Sequence, residues 1–112
     1  MALIVKTGKA DELLKKIKQD IGDGVIDTWE IDSDGDFTHV PDQWRFKAWM
    51  HPISSKTGNN IIFGIIGNKR IRMTKSLYAI YHGRFSEMLL THFDDIIDSL
   101  EITSQKNAED SF

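Results

Sequence analysis

From Trp44 to His51 the chain alternates apolar and polar residues without a break, which is the period of a half-buried β-strand. Trp44, Phe46, Ala48 and Met50 fall on one side of such a strand. Arg45, Lys47, Trp49 and His51 fall on the other, a cationic face with an indole in its middle. Placing Arg45 and Lys47 in a core carries a steep desolvation penalty, so the first set is assigned to the interior and the second to the surface.

The period is helical before and after this region. Ala10, Leu13, Leu14, Ile17 and Ile21 repeat at helical spacing with Asp11, Glu12, Lys15, Lys16, Lys18 and Gln19 opposite, predicting an amphipathic helix. Thr7 or Gly8 is placed to cap its start, and Gly22 and Gly24 to stop it. A second helix is predicted over 84–100 from Phe85, Met88, Leu89, Phe93, Ile96, Ile97 and Leu100, with Ser86 as N-cap and Phe85 and Leu90 at the spacing of a hydrophobic staple.

Between the helices the pattern predicts strands. Residues 25–32 turn through Asp32-Ser33-Asp34-Gly35-Asp36 into 37–40, Pro41-Asp42 interrupts, and the alternating segment follows. A polar loop at 52–60 leads to the apolar run Ile61–Ile66, Gly67-Asn68 reverses the chain into 71–73, and Leu77–His82 is read as a last strand. Leu3–Val5 is read as a short edge strand before the first helix. Together these predict an α+β two-layer sandwich: an antiparallel meander of about four to five strands with an N-terminal and a C-terminal helix on one face. The single domain spans 1–103, and the polar segment 104–112 is read as a flexible tail.

Composition narrows the picture little. The 112 residues are 40% hydrophobic and 28% charged, ordinary for one globular domain. The chain contains no cysteine, so no disulfide forms, which suits a reducing cytoplasm. The N-terminal run Met1–Val5 lacks the basic segment and long apolar stretch of a secretory signal. The apolar run 61–66 is far short of the roughly 20 residues a membrane-spanning helix needs. A net charge of −3 gives no global pull toward nucleic acid or an acidic membrane.

Three motifs invite chemistry, and two of them fail inspection. An EF-hand loop begun at Asp32 would place Phe37 where a glycine is required and Gln43 where a bidentate glutamate is required, so no metal is assigned. Gly64-Ile65-Ile66-Gly67-Asn68-Lys69 has the spacing of neither a P-loop nor a KH loop, and Ile65-Ile66 is strand-like. Tyr81-His82-Gly83-Arg84, with Glu87 and His92 beyond, combines an acid/base candidate, a cation and a carboxylate at a strand-to-helix junction. Glu87 and His92 lie about 140° apart around a helix, which argues against one metal site.

The sequence therefore points to a small non-enzymatic binding or protein-interaction domain, without cofactor, that forms a homodimer through a sheet face or edge anchored by Trp49. Its candidate binding residues are Arg45, Lys47, Trp49, His51, His82 and Arg84. Two other classes stay open: a binder of an anionic ligand or nucleic acid on the basic and aromatic face, and a small enzyme using His82, Arg84 and Glu87. Among partners, nucleic acid is disfavoured by the charge balance and a membrane by the short apolar runs.

Overall fold

A computed structural model describes residues 2–54 and 59–112. The chain is α+β: an open six-stranded sheet with antiparallel ladders throughout, and two helices. The elements are β1 (Ala2–Lys6), α1 (Ala10–Gly22), β2 (Trp29–Ile31), β3 (Phe37–His39), β4 (Ala48–Ser54), β5 (Asn60–Gly67), α2 (Lys75–Phe93) and β6 (Ser99–Ile102), with a 3₁₀ turn at Asp94–Ile96. The sheet order is β2-β3-β4-β5-β1-β6. Part of the loop expected at 52–60 lies outside the described residues, and its ends belong to β4 and β5.

Opposed residues across the ladders share a face, so the register separates two surfaces. Leu3 opposes Phe63, Val5 opposes Ile61, Met50 opposes Ile65, and Phe37 opposes Met50. All of these are fully buried and join Ala10, Leu13 and Ile17 of α1 and Leu77, Tyr81, Phe85 and Leu89 of α2 in one core. Trp29 sits at its centre, 4.9 Å edge-on from Phe85 and 5.6 Å edge-on from Tyr81. Edge-on geometry aims a positive ring rim at a negative ring face.

α1 follows its amphipathic pattern closely, but Thr7 does not cap it in the expected way. The buried Thr7 hydroxyl accepts from Lys9 N at 3.1 Å and donates to the Ile96 carbonyl at 2.5 Å, tying the start of α1 to the turn after α2.

Several sequence expectations need correction. β1 is not an edge strand; it lies between β5 and β6, because residues 99–102 form a strand along its second side instead of ending a helix. Leu77–His82 is helical. Leu77, Tyr81, Phe85, Leu89 and Phe93 continue one stripe at four-residue spacing, and burying that stripe outweighs the local β preference of Tyr78 and Ile80. Thr74 is the cap, its hydroxyl accepting from Leu77 N at 3.1 Å, while Ser86 lies inside the helix and donates to His82 O at 2.7 Å. Residues 71–73 form no strand.

A further correction concerns the alternating segment, only part of which is a strand. Trp44 N and Arg45 N both donate to Pro41 O, and Phe46 adopts φ 60°, a left-handed conformation that breaks the pleat. The Thr38 hydroxyl accepts from Phe46 N and Asn68 Nδ2 donates to Phe46 O, holding the turn, so β4 begins only at Ala48.

The polar segment expected to be flexible is hydrogen-bonded to the sheet. β1 pairs with β5 as far as Ala2 opposite Gly64. Beyond it Ser111 N donates to Ile65 O at 2.9 Å, Gly67 N donates to Ser111 O at 2.8 Å, and the Asp110 carboxylate accepts from Ile65 N at 3.0 Å. These groups satisfy β5 backbone atoms that β1 does not reach.

Candidate functional site

The outer face of the sheet carries Ile4, Trp49, Ile53, Ile62 and Ile66. Trp49 opposes Ile66 at one end of this face, and Ile53 opposes Ile62, which opposes Ile4, at the other, with His51 and Gly64 between the two groups. All are partly exposed, Ile53 most at 37%. His51 shares this face opposite Gly64, where its Nδ1 lies 2.5 Å from Asp36 Oδ1 at the end of the β2–β3 turn. The segment 109–112 crosses the same region, and a Cβ on Gly64 would run into the Glu109 carbonyl.

Only half of the proposed cationic face exists as a face. Trp49 and His51 stand together on β4, but the turn at 41–47 removes Arg45 and Lys47 from the pleat. Arg45 is clamped by Glu30 of β2 through two bonds of 2.9 and 2.8 Å, and that carboxylate raises the guanidinium pKa further. Lys47 Nζ lies 5.8 Å from the centroid of the Trp44 ring, a cation–π arrangement. Both cations are thus engaged within the fold, and the surface beside Trp49 is apolar rather than basic.

The constellation around His82 also divides. His82 is buried in α2 and donates Nδ1–H to Tyr78 O at 2.6 Å. Arg84 and Glu87 lie further along the helix as an exposed pair at 3.5 Å. They line a different feature, a cleft of about 420 Å³ between α2, residues 25–29, β3 and the 41–44 turn. His82 is not part of its wall, whereas His39 is.

His39 is a site residue that the sequence reading does not single out. Its ring stacks on Trp29 at 4.5 Å and is only 6% exposed. Nδ1 lies 2.8 Å from Thr28 O, and since a carbonyl only accepts, Nδ1 carries the proton. Burial holds its pKa below the ordinary value; the Thr28 carbonyl opposes that shift, Arg84 adds to it and Glu87 opposes it. His39 is therefore neutral near pH 7 with Nε2 as an acceptor. One signal was available: His39 falls in the Phe37–Val40 strand on the same parity as Phe37, and so on its inner face.

Tyr81 packs against Trp29 and His39, two residues of the cleft wall. β3 and β4 pair at Phe37–Met50, and where they separate the Tyr81 hydroxyl inserts, donating to Trp44 O at 2.5 Å and lying 3.1 Å from the Thr38 hydroxyl. Burial raises its pKa, so it remains a phenol.

A larger hollow of about 550 Å³ lies between the 66–73 segment and Phe112. Asp32, Asp34 and Asp36 bring one oxygen each within 4.8 Å of the others. The turn itself uses these groups, since Asp32 Oδ1 accepts from Asp34 N and Asp36 N while Asp36 holds His51. Among the described residues no helix is long and apolar enough to cross a membrane. No protein family, curated protein or solved structure matches the chain, so its function is argued from this geometry alone.

Proposed function

We propose that the protein is a non-enzymatic interaction domain that self-associates through the outer face of its sheet. The observation that carries this is the set Ile4, Trp49, Ile53, Ile62 and Ile66, apolar residues on the side of the sheet opposite the core. A solvated sheet face normally alternates to polar residues, and large apolar side chains left partly exposed on it are the mark of an interface. The occupant is a second copy of the chain. The five residues are themselves uncharged, with the His51–Asp36 pair between them and Glu101 opposite Ile4, and a two-fold axis sets the apolar groups of one copy against those of the other. Trp49 supplies the large amphipathic anchor that such contacts favour.

Solution mass measured by light scattering across protein concentration tests this. A species at twice the chain mass is expected, and Ile53→Lys and Trp49→Asp each return it to monomer while the thermal unfolding of the monomer stays cooperative. A wild-type monomer at all concentrations ends the proposal, as does a dimer that both variants leave intact. Salt dependence supplies a second reading of the same experiment. An apolar contact holds or tightens as salt rises, whereas one built on Arg45 and Lys47 weakens.

A further inference from the structure

The cleft on the helix side of the sheet is separate from the outer face, and its chemistry points to a different kind of occupant. His39 Nδ1 is committed to Thr28 O. Nε2 has no partner among the described residues, and no side-chain nitrogen lacking a partner is sealed from solvent there. The acceptor therefore opens on the cleft that His39 lines. A recessed acceptor without a donor is a demand on the ligand, because leaving such a group unmatched on binding is costly.

The charges on the wall set the sign of that ligand. Arg84 and Glu87 face one another at 3.5 Å and largely neutralise each other. Asp27 also lines the cleft, is exposed, and makes no hydrogen bond or ion pair among the described residues. The remaining wall thus presents one free carboxylate, the recessed neutral acceptor of His39 and the exposed imidazole of His92, beside the half-buried indole of Trp44. An anion meets Asp27 unfavourably and would draw a proton onto His39. A cation that donates hydrogen bonds meets Asp27, Nε2 and an aromatic wall, each favourable.

We infer that this cleft binds a small organic ammonium ion, which donates to His39 Nε2, pairs with Asp27 and rests its apolar part against Trp44. The volume of about 420 Å³ falls within the range of small-molecule sites, and the recessed wall gives the partial enclosure that binding needs.

Benzylammonium, benzoate and benzyl alcohol, three probes of one shape and different charge, are titrated into the full chain. The His39 imidazole nitrogens and the indole N–H signals are followed by NMR. Benzylammonium is expected to bind about tenfold more tightly than either of the others, with saturable shifts at His39 Nε2 and Trp44. Two rim variants then move affinity in opposite directions: Asp27→Asn weakens benzylammonium, and Arg84→Gln, which frees Glu87, tightens it. Equal affinity for the three probes, preference for benzoate, shifts that leave His39 unmoved, or no saturable binding at about 10 mM overturns the inference. So does a pair of rim variants that change affinity in the same direction.

Discussion

The hydroxyl of Tyr81 donates a 2.5 Å hydrogen bond to the carbonyl of Trp44, and this one contact fixes α2 against the turn that carries Trp44, Arg45 and Phe46. The same oxygen also lies 3.1 Å from the Thr38 hydroxyl and 3.4 Å from His39 N, so the Trp44 carbonyl and the His39 amide depend on it, while Thr38 also bonds Ala48 O and Phe46 N. Tyr81→Phe keeps the ring and removes the oxygen. It is expected to destabilise the protein by about 1–3 kcal/mol, the cost of leaving buried polar groups unmatched, as read from chemical denaturation. Combining it with Thr38→Val is expected to cost less than the sum of the two single changes, because the partners act as one network.

Gly64 is required by the C-terminal segment and not by its own backbone, since the Glu109 carbonyl passes where a Cβ would stand. Gly64→Ala is therefore expected to lift residues 109–112 from β5 while β1 and β4 keep their pairing. Hydrogen exchange separates these effects. The Ser111 and Gly67 amides, which bond across the β5 edge, lose protection, and Val5 and Ile61 in the core keep theirs. Loss of protection throughout the sheet would show instead that the segment supports the core.

How far the sequence can be read depends on how far each residue's neighbours lie along the chain. α1 was legible because a polar face and an apolar face repeat over three turns without interruption, although its cap is Lys9 and not Thr7 or Gly8. The turn at 32–36 was legible because Asp32 accepts from the amides of Asp34 and Asp36 within the turn itself. β6 was not, since Leu100 fits a helical stripe through Ile96 and Ile97, and only its pairing with Val5, far away in sequence, makes 99–102 a strand. The alternation from Trp44 to Arg45 and Phe46 has the period of a strand, yet Pro41 O, Thr38 and Asn68 impose a turn. Thr38 and Asn68 come from two other segments, and no local pattern announces them. The candidate site divided in the same way: Trp49 and His51 fall on the expected face, whereas Arg45 and Lys47 are drawn to Glu30 and Trp44.

The start of α2 gives a direct measure of that distinction. Thr74 caps the helix with a 3.1 Å bond to Leu77 N, while Ser86, the residue that local spacing selects, donates to a carbonyl four residues back. Thr74→Ala is expected to cost about 1 kcal/mol, the usual loss of a capping side chain. Ser86→Ala is expected to change stability by no more than about 0.5 kcal/mol, because the hydroxyl is redundant with the helical ladder and alanine is the better helix former. Equilibrium denaturation of the two variants compares them, and a larger loss at Ser86 would place the helix start where the sequence alone suggested.

His39 supplies the pH dependence. Burial beside Trp29 is the main cause that lowers its pKa, and the charge of Arg84 works in the same direction against the Thr28 carbonyl and Glu87. In the unfolded chain the imidazole titrates near its ordinary value of about 6.5, so below that pH the unfolded state binds a proton that the folded state resists. Stability from this group is thus fully present above about pH 6.5 and falls with acidification until the folded-state pKa is passed. NMR titration of the imidazole tests the causes one at a time. Arg84→Gln removes a repelling cation and raises the His39 pKa, while Glu87→Gln removes an attracting carboxylate and lowers it further. If both variants leave the titration unchanged, Arg84 and Glu87 do not act on the recessed base of the cleft they line.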